Sequence, residues 1–148
     1  MLTPLLTPFA VPFDPINLRR ALTAATAYFL ALFALGFILG TVRVMIMVPR
    51  FGVLASTIAE VPFMITAGYF ICRWAIHNWH VSRASAFRWA MAIWFLVMLI
   101  AFETLLGVLL FGRSASAQWI VLATPAGLIG LSAQVIAALF PLFVGRKE

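Results

Sequence analysis

The chain has 148 residues, of which 65% are hydrophobic and only 9% charged, and its mean hydropathy is +1.12. A soluble domain carries about 25% charged residues, so this chain has too little polar surface to face water on all sides. The net charge of +6 does not indicate nucleic acid as a partner, because the arginines cluster at the ends of apolar runs, where membrane topology and anionic lipid account for them.

The first 17 residues contain prolines at positions 4, 8, 12 and 15. Proline removes a backbone donor and biases the residue before it away from helix. We therefore predict an extended N-terminal arm over residues 1–17, followed by a single transmembrane domain over residues 18–148. Asn17 is the predicted N-cap of the first helix.

Four long apolar runs follow the arm. We predict transmembrane helices over residues 18–48, 53–71, 89–111 and 118–144, since about 20 apolar residues cross a bilayer as a helix. A Pro-Arg-Phe-Gly turn over residues 49–52 reverses the chain between the first two. Two starts for the fourth helix remain open, at Gln118 and at Thr124, where Thr124-Pro125 forms an N-cap and first helical position. The predicted fold is all-α, an integral membrane protein with four transmembrane helices in a bundle.

Between the second and third runs lies the most polar interior stretch, residues 72–88. Its Trp, His and Arg residues predict a loop at headgroup level or a short interfacial helix. His77 and His80 supply too few ligands for a metal ion, and we predict neither a metal nor a cofactor. The single cysteine, Cys72, excludes a disulfide within the chain and is expected to be an inert buried thiol.

The distribution of basic residues predicts the orientation in the membrane. Four spans put the N-terminus, the 72–88 stretch and the C-terminus on one side of the bilayer. That side holds seven basic residues: Arg19, Arg20, Arg73, Arg83, Arg88, Arg146 and Lys147. The other side holds three: Arg43, Arg50 and Arg113. By the positive-inside rule both termini are cytoplasmic, in the cell inner (plasma) membrane. The predicted partners are the lipid bilayer and anionic lipid at its cytoplasmic face.

Glycines recur at helical spacing in the first and last spans. Gly36 and Gly40 form a GxxxG pair, and Gly127 and Gly130 lie on a face of small residues in the last span. Such residues allow two helices to approach closely. The close approach is expected within the bundle, or between chains in a homo-oligomer or a larger membrane complex.

Three ionisable residues, Arg43, Glu60 and Glu103, lie inside the predicted spans. Ionised groups there cost about 2.5 to 3.5 kcal/mol each on insertion, so they are rare and usually face protein or a wet cavity. Counting residues from the span ends places all three in the outer half of the bilayer, with Gln134 deeper. These four residues are the candidates for ligand binding or proton relay.

Two interpretations of this charged layer are open. In the first, Arg43 pairs with one glutamate and fixes helix register, in a structural or accessory component whose charged layer is suited to hold a polar ligand group. In the alternative, one glutamate carries a proton, in a small proton-coupled transporter or exchanger that works as an oligomer. No recognisable nucleophile or metal set favours an enzyme.

A four-span chain with a glutamate inside the membrane resembles the small multidrug exporters in architecture. Their key glutamate lies in the first span, where this sequence has Arg43 instead. No residue role is therefore transferred from that family.

Overall fold

The computed structural model describes residues 14–112 and 114–145. These residues are 90% helical and contain no strand, so the predicted all-α fold is confirmed. The helices are α1 (Pro15–Val42), α2 (Val48–Asn78), α3 (Ser85–Phe111), α4 (Ala115–Leu122) and α5 (Pro125–Phe143), and a π-helical turn, Arg43–Met47, joins α1 to α2. Residues 1–13 of the predicted arm, Arg113 and residues 146–148 lie outside the described part.

Three continuous helical stretches in the described part are long and apolar enough to cross a membrane: Pro15–Asn78, Ser85–Leu109 and Pro125–Phe143. The first of these bends at Gly52, whose φ of 78° and ψ of 169° are not helical. A methyl group added at Gly36 would lie 3.1 Å from the Met64 side chain, so the two arms on either side of the bend lie against each other. The reversal predicted over residues 49–52 therefore takes place at Gly52, and the three residues before it are helical.

The π-helical turn at Arg43–Met47 has a local cause in Pro49. Proline has no N–H, and in a regular α-helix its ring clashes with the carbonyl four residues earlier. Here the helix widens just before Pro49, and the Val48 N–H donates to the Arg43 carbonyl five residues back. The widened turn lets the helix continue past Val48, the predicted end of the first span, as far as the bend.

Helix α3 runs in the same direction as α1 and packs along it. The Trp94 indole N–H donates to Thr26 Oγ1 at 3.1 Å, and the ring centroids of Phe33 and Phe102 are 5.5 Å apart. Thr26 and Phe33 of α1 therefore contact Trp94 and Phe102 of α3 in the same order along both helices. The two helices are parallel neighbours.

Helix α5 runs opposite to α3 and alongside α2. Gln134 on α5 bonds Glu103 on α3, whereas Arg88 near the start of α3 bonds the carbonyl of Val144 just after α5. A methyl group added at Gly68 would lie 3.2 Å from the Phe140 ring, which places α2 against α5. The helices thus alternate in direction, and both ends of the described chain lie at the same end of the bundle.

The buried core is concentrated at the end of the bundle that carries the chain ends. In α1 the alanines at 21, 24 and 25 are fully buried and let neighbouring helices approach. Above them the Tyr28 and Phe95 rings stack with centroids 4.6 Å apart. The Tyr28 hydroxyl donates to the Ala137 carbonyl on α5 at 3.0 Å, so its polar end is satisfied inside the core. Cys72 is also fully buried here.

Several helix ends differ from the predicted ones. Asp14, rather than Asn17, caps α1: its side chain accepts from the Ile16 N–H at 2.9 Å, and Pro15 occupies the first helical position, where its missing donor costs nothing. Asn17 instead donates its side-chain amide to Asp14.

The polar stretch 72–88 is mostly helical, contrary to the predicted loop or short interfacial helix. Helix α2 continues to Asn78 and α3 starts at Ser85. Only the six residues between them are non-helical, and His80 there has a positive φ of 49°.

At the other end of the bundle, the two starts considered for the last span correspond to two separate helices, α4 and α5. Thr124 caps α5 by accepting from the Gly127 N–H at 3.1 Å, and α4 precedes it as a separate short helix.

Arg88 ties the start of α3 to the end of α5. Its side chain is only 6% exposed. Its guanidinium donates to the carbonyl of Ser82 at 3.1 Å, of Pro141 at 3.4 Å and of Val144 at 3.3 Å. The last carbonyls of a helix have no partner within the helix, and a cation beside them is stabilising. The sequence identifies Arg88 only as one of the basic residues of the predicted cytoplasmic side.

Arg88→Met is expected to lower the free energy of unfolding by about 3 kcal/mol, because buried carbonyls lose charge-assisted hydrogen bonds. The matched control is Arg83→Met, which removes an exposed arginine from the same loop region and should cost less than about 0.5 kcal/mol. Unfolding titrations of both variants in detergent micelles measure the difference. Equal losses in the two variants would contradict this role for Arg88.

Candidate functional site

Arg43 lies at the junction of α1 and the π-helical turn and reaches across to α2. Its Nε lies 2.8 Å from Oε2 of Glu60, and the two side chains are 28% and 16% exposed. Its Nη1 donates to Oγ1 of Thr57 at 2.7 Å. One arginine therefore contacts two residues on the neighbouring helix, one turn apart. We call Arg43, Thr57 and Glu60 the arginine clamp.

The two contacts of the arginine clamp differ in kind. The Nε–H bond is not directed at any acceptor, so the 2.8 Å approach to Glu60 is an ion pair held mainly by charge. The Nη1 contact with Thr57 is a directed hydrogen bond. The bond to Thr57 is donated by a charged group, and such a bond is about twice as strong as a neutral one. The Thr57 hydroxyl therefore fixes the orientation of the guanidinium. Glu60 balances its charge.

Thr57 can accept this bond because its own proton is used elsewhere. Its hydroxyl donates to the Val53 carbonyl at 2.9 Å, and the buried Ser56 hydroxyl donates to the Gly52 carbonyl at 2.6 Å. Hydroxyls four residues past a carbonyl commonly bond back in this way. Both hydroxyls bond the first carbonyls of the second arm, beside the bend.

Glu103 and Gln134 form a second polar contact, between α3 and α5. The side-chain amide of Gln134 donates to Oε1 of Glu103. Both residues are partly buried. The partner of this carboxyl on α5 is thus a neutral amide.

The structure separates the four candidate residues into two pairs. It brings Arg43 to Glu60 and Gln134 to Glu103, and no hydrogen bond or ion pair in the described part joins one pair to the other. Phe102, next to Glu103, packs against Phe33, which is ten residues before Arg43 in the chain. At about 1.5 Å per residue the two levels on α1 are about 15 Å apart. The expected single layer is therefore two layers, and Gln134 lies at the level of Glu103 rather than deeper.

The four predicted packing glycines have different surroundings. Gly36 faces Met64 on α2, and Gly127 lies at the junction of α4 and α5, where an added Cβ would collide with the backbone of Val121 and Leu122. Glycine is therefore required at 127. Gly40 and Gly130 have no neighbouring atom within 4 Å of an added Cβ, so a packing role for them stays a prediction about contact with another chain.

Other polar residues do not extend either pair into a metal site. The described part of the chain holds no group of three His, Cys, Asp or Glu side chains arranged to bind a metal ion. The rings of His77 and His80 lie side by side with centroids 6.3 Å apart, at the end of the bundle opposite the arginine clamp.

Sequence reasoning missed the part that Thr57 plays. Thr57 is three residues before Glu60, which puts both on one face of α2, and this spacing is a signal that could have identified it.

Comparison with protein-family models, with curated proteins and with solved structures finds no match. The geometry of the two pairs is therefore the basis for the functional argument.

Arg43→Gln is expected to lower the free energy of unfolding by up to about 3 kcal/mol, because it leaves the partly buried Glu60 carboxylate without its cation. Arg50→Gln is the matched control: it removes an exposed arginine from the same end of the bundle and should have little effect. Combining Arg43→Gln with Glu60→Gln removes both charges and should restore part of the loss. A double variant no more stable than Arg43→Gln would contradict the ion pair.

Proposed function

We propose that this chain is a small multi-pass protein of the cell inner membrane that serves as a structural or accessory component. In this proposal it crosses the bilayer four times, with both termini in the cytoplasm. The apolar helices are compatible with a membrane protein. The bend at Gly52 supports counting the stretch Pro15–Asn78 as two crossings rather than one.

The arrangement of charges supports the proposed orientation. The end of the bundle near the chain ends carries five described arginines: Arg19, Arg20, Arg73, Arg83 and Arg88. At the opposite end the described arginines are Arg43, whose charge is balanced by Glu60, and Arg50. An excess of basic residues on one side is typical of the cytoplasmic side.

The observation that carries a structural role is the double contact of Arg43. Its guanidinium is held by Glu60 and Thr57 together, so it is oriented by its own chain. The arginine clamp joins α1 to α2 next to the bend, where few other buried residues hold the arms together.

Proton-coupled transport is the second candidate, and Glu103 is the residue that favours it. This carboxyl lies between α3 and α5 and is bonded by a neutral amide, apart from the arginine clamp. A carboxyl inside the membrane is a common element of proton relays. A bundle of this size encloses little space, so the transporter would act as a homo-oligomer.

Cysteine labelling tests the orientation. Phe51→Cys and Ser85→Cys put exposed thiols at opposite ends of the bundle without changing any charge, and the native Cys72 is buried. With a membrane-impermeant maleimide on intact cells we expect Cys at 51 to react, and Cys at 85 to react only after lysis. The reverse pattern would overturn the orientation. Labelling of both thiols, or of neither, would overturn four crossings.

Carboxyl infrared bands separate the two candidate functions. Under the structural role, the bands assigned by comparison with Glu60→Gln and Glu103→Gln should not change between about pH 6 and 8 in lipid, since neither carboxyl exchanges its proton during function. A band that changes in this range and is absent from Glu103→Gln would favour proton-coupled transport instead.

A further inference from the structure

A shallow groove of about 400 Å³ runs between α1 and α3, at the end of the bundle opposite the arginine clamp. The side chains that line it include Leu18, Arg19, Leu22, Thr23, Thr26 and Trp94. None of these residues belongs to the two polar pairs.

The groove has a charged end and an apolar end. Arg19 lies seven residues before Thr26, which is about 10 Å along α1. Leu22 lies between them, Pro15 and Leu18 line the groove before Arg19, and the Trp94 ring, held by its bond to Thr26 at 3.1 Å, closes the far end. A molecule that fits must therefore have an anionic group at one end and a hydrocarbon part beside it.

The charged end lies where lipid headgroups are expected. Arg19 and Arg20 are exposed near the start of α1, at the basic end of the bundle. Trp74 and Trp89, at the same end, are 51% and 50% exposed. Exposed tryptophans of membrane proteins are enriched at the level of the headgroups, which puts the apolar end of the groove in the hydrocarbon region.

We propose that this groove binds one anionic phospholipid, with its phosphate on Arg19 and an acyl chain along Leu22 toward Trp94. The inference rests on the proposed membrane placement and adds a defined lipid site to it. It differs from general attraction of anionic lipid, because Arg19 lines the groove whereas the adjacent Arg20 does not.

The test compares Arg19→Gln with Arg20→Gln in the full-length chain. Native mass spectrometry from detergent would measure retention of phosphatidylglycerol and of phosphatidylcholine at equal concentrations. We expect Arg19→Gln to weaken phosphatidylglycerol binding about five-fold, which corresponds to about 1 kcal/mol for one basic residue beside an anionic lipid. Arg20→Gln should weaken it less than two-fold, roughly. Thr23→Phe, which fills the groove at an exposed position, should lower phosphatidylglycerol retention as much as Arg19→Gln.

Flotation with phosphatidylcholine vesicles, measured first for each variant, reports membrane insertion separately. If the native chain does not float, the membrane placement fails and the lipid site fails with it. If all variants float but Arg19→Gln and Arg20→Gln lose equal binding, only general charge attraction acts and the site is overturned. Equal retention of the two lipids by the native chain, or unchanged retention by Thr23→Phe, would overturn it as well.

Discussion

In the proposed membrane placement, the absence of water in the hydrocarbon of a bilayer constrains the polar groups inside this bundle. A polar group there must find its partner within the protein, because none is offered by lipid. Arg43 meets Glu60 and Thr57, Glu103 meets Gln134, and the Tyr28 hydroxyl meets a backbone carbonyl. Each of these contacts joins two different helices. These polar contacts therefore act together with the apolar core in holding neighbouring helices to one another.

The two ends of the bundle are held together by different means. Near the chain ends, alanines and stacked aromatic rings make a buried core, and Arg88 bonds the end of α5. Toward the bend, large apolar side chains such as Phe51 and Phe63 are exposed, and the arginine clamp supplies the connection between α1 and α2. Because dispersion contacts are fewer there, one ion pair contributes a larger share of the local stability.

Much of the fold could be predicted because hydrophobicity is a property of the chain itself. The apolar runs, the all-α class and the reversal near Gly52 follow from composition and spacing. Helix ends were harder to predict, because they depend on specific contacts that the helix propensities of single residues do not describe. Pro49 widens the turn before it, and the Asp14 side chain caps α1. The distance between the levels of Glu103 and Arg43 depends on how far α3 is shifted along α1, which side-chain packing sets. Residue counting could not give that shift, and so it merged two levels into one.

The order of the polar contacts along the chain has a consequence for synthesis. The partners of the arginine clamp are at most 17 residues apart in sequence, so they can meet once α2 has been made. Gln134 follows Glu103 by 31 residues, and Val144 follows Arg88 by 56. Helices of membrane proteins insert first and associate afterwards, and chains are made from the N-terminus. The ion pair between α1 and α2 can thus form early, whereas the contacts of Glu103 and Arg88 with α5 and the residue after it form only once that later part of the chain has been made.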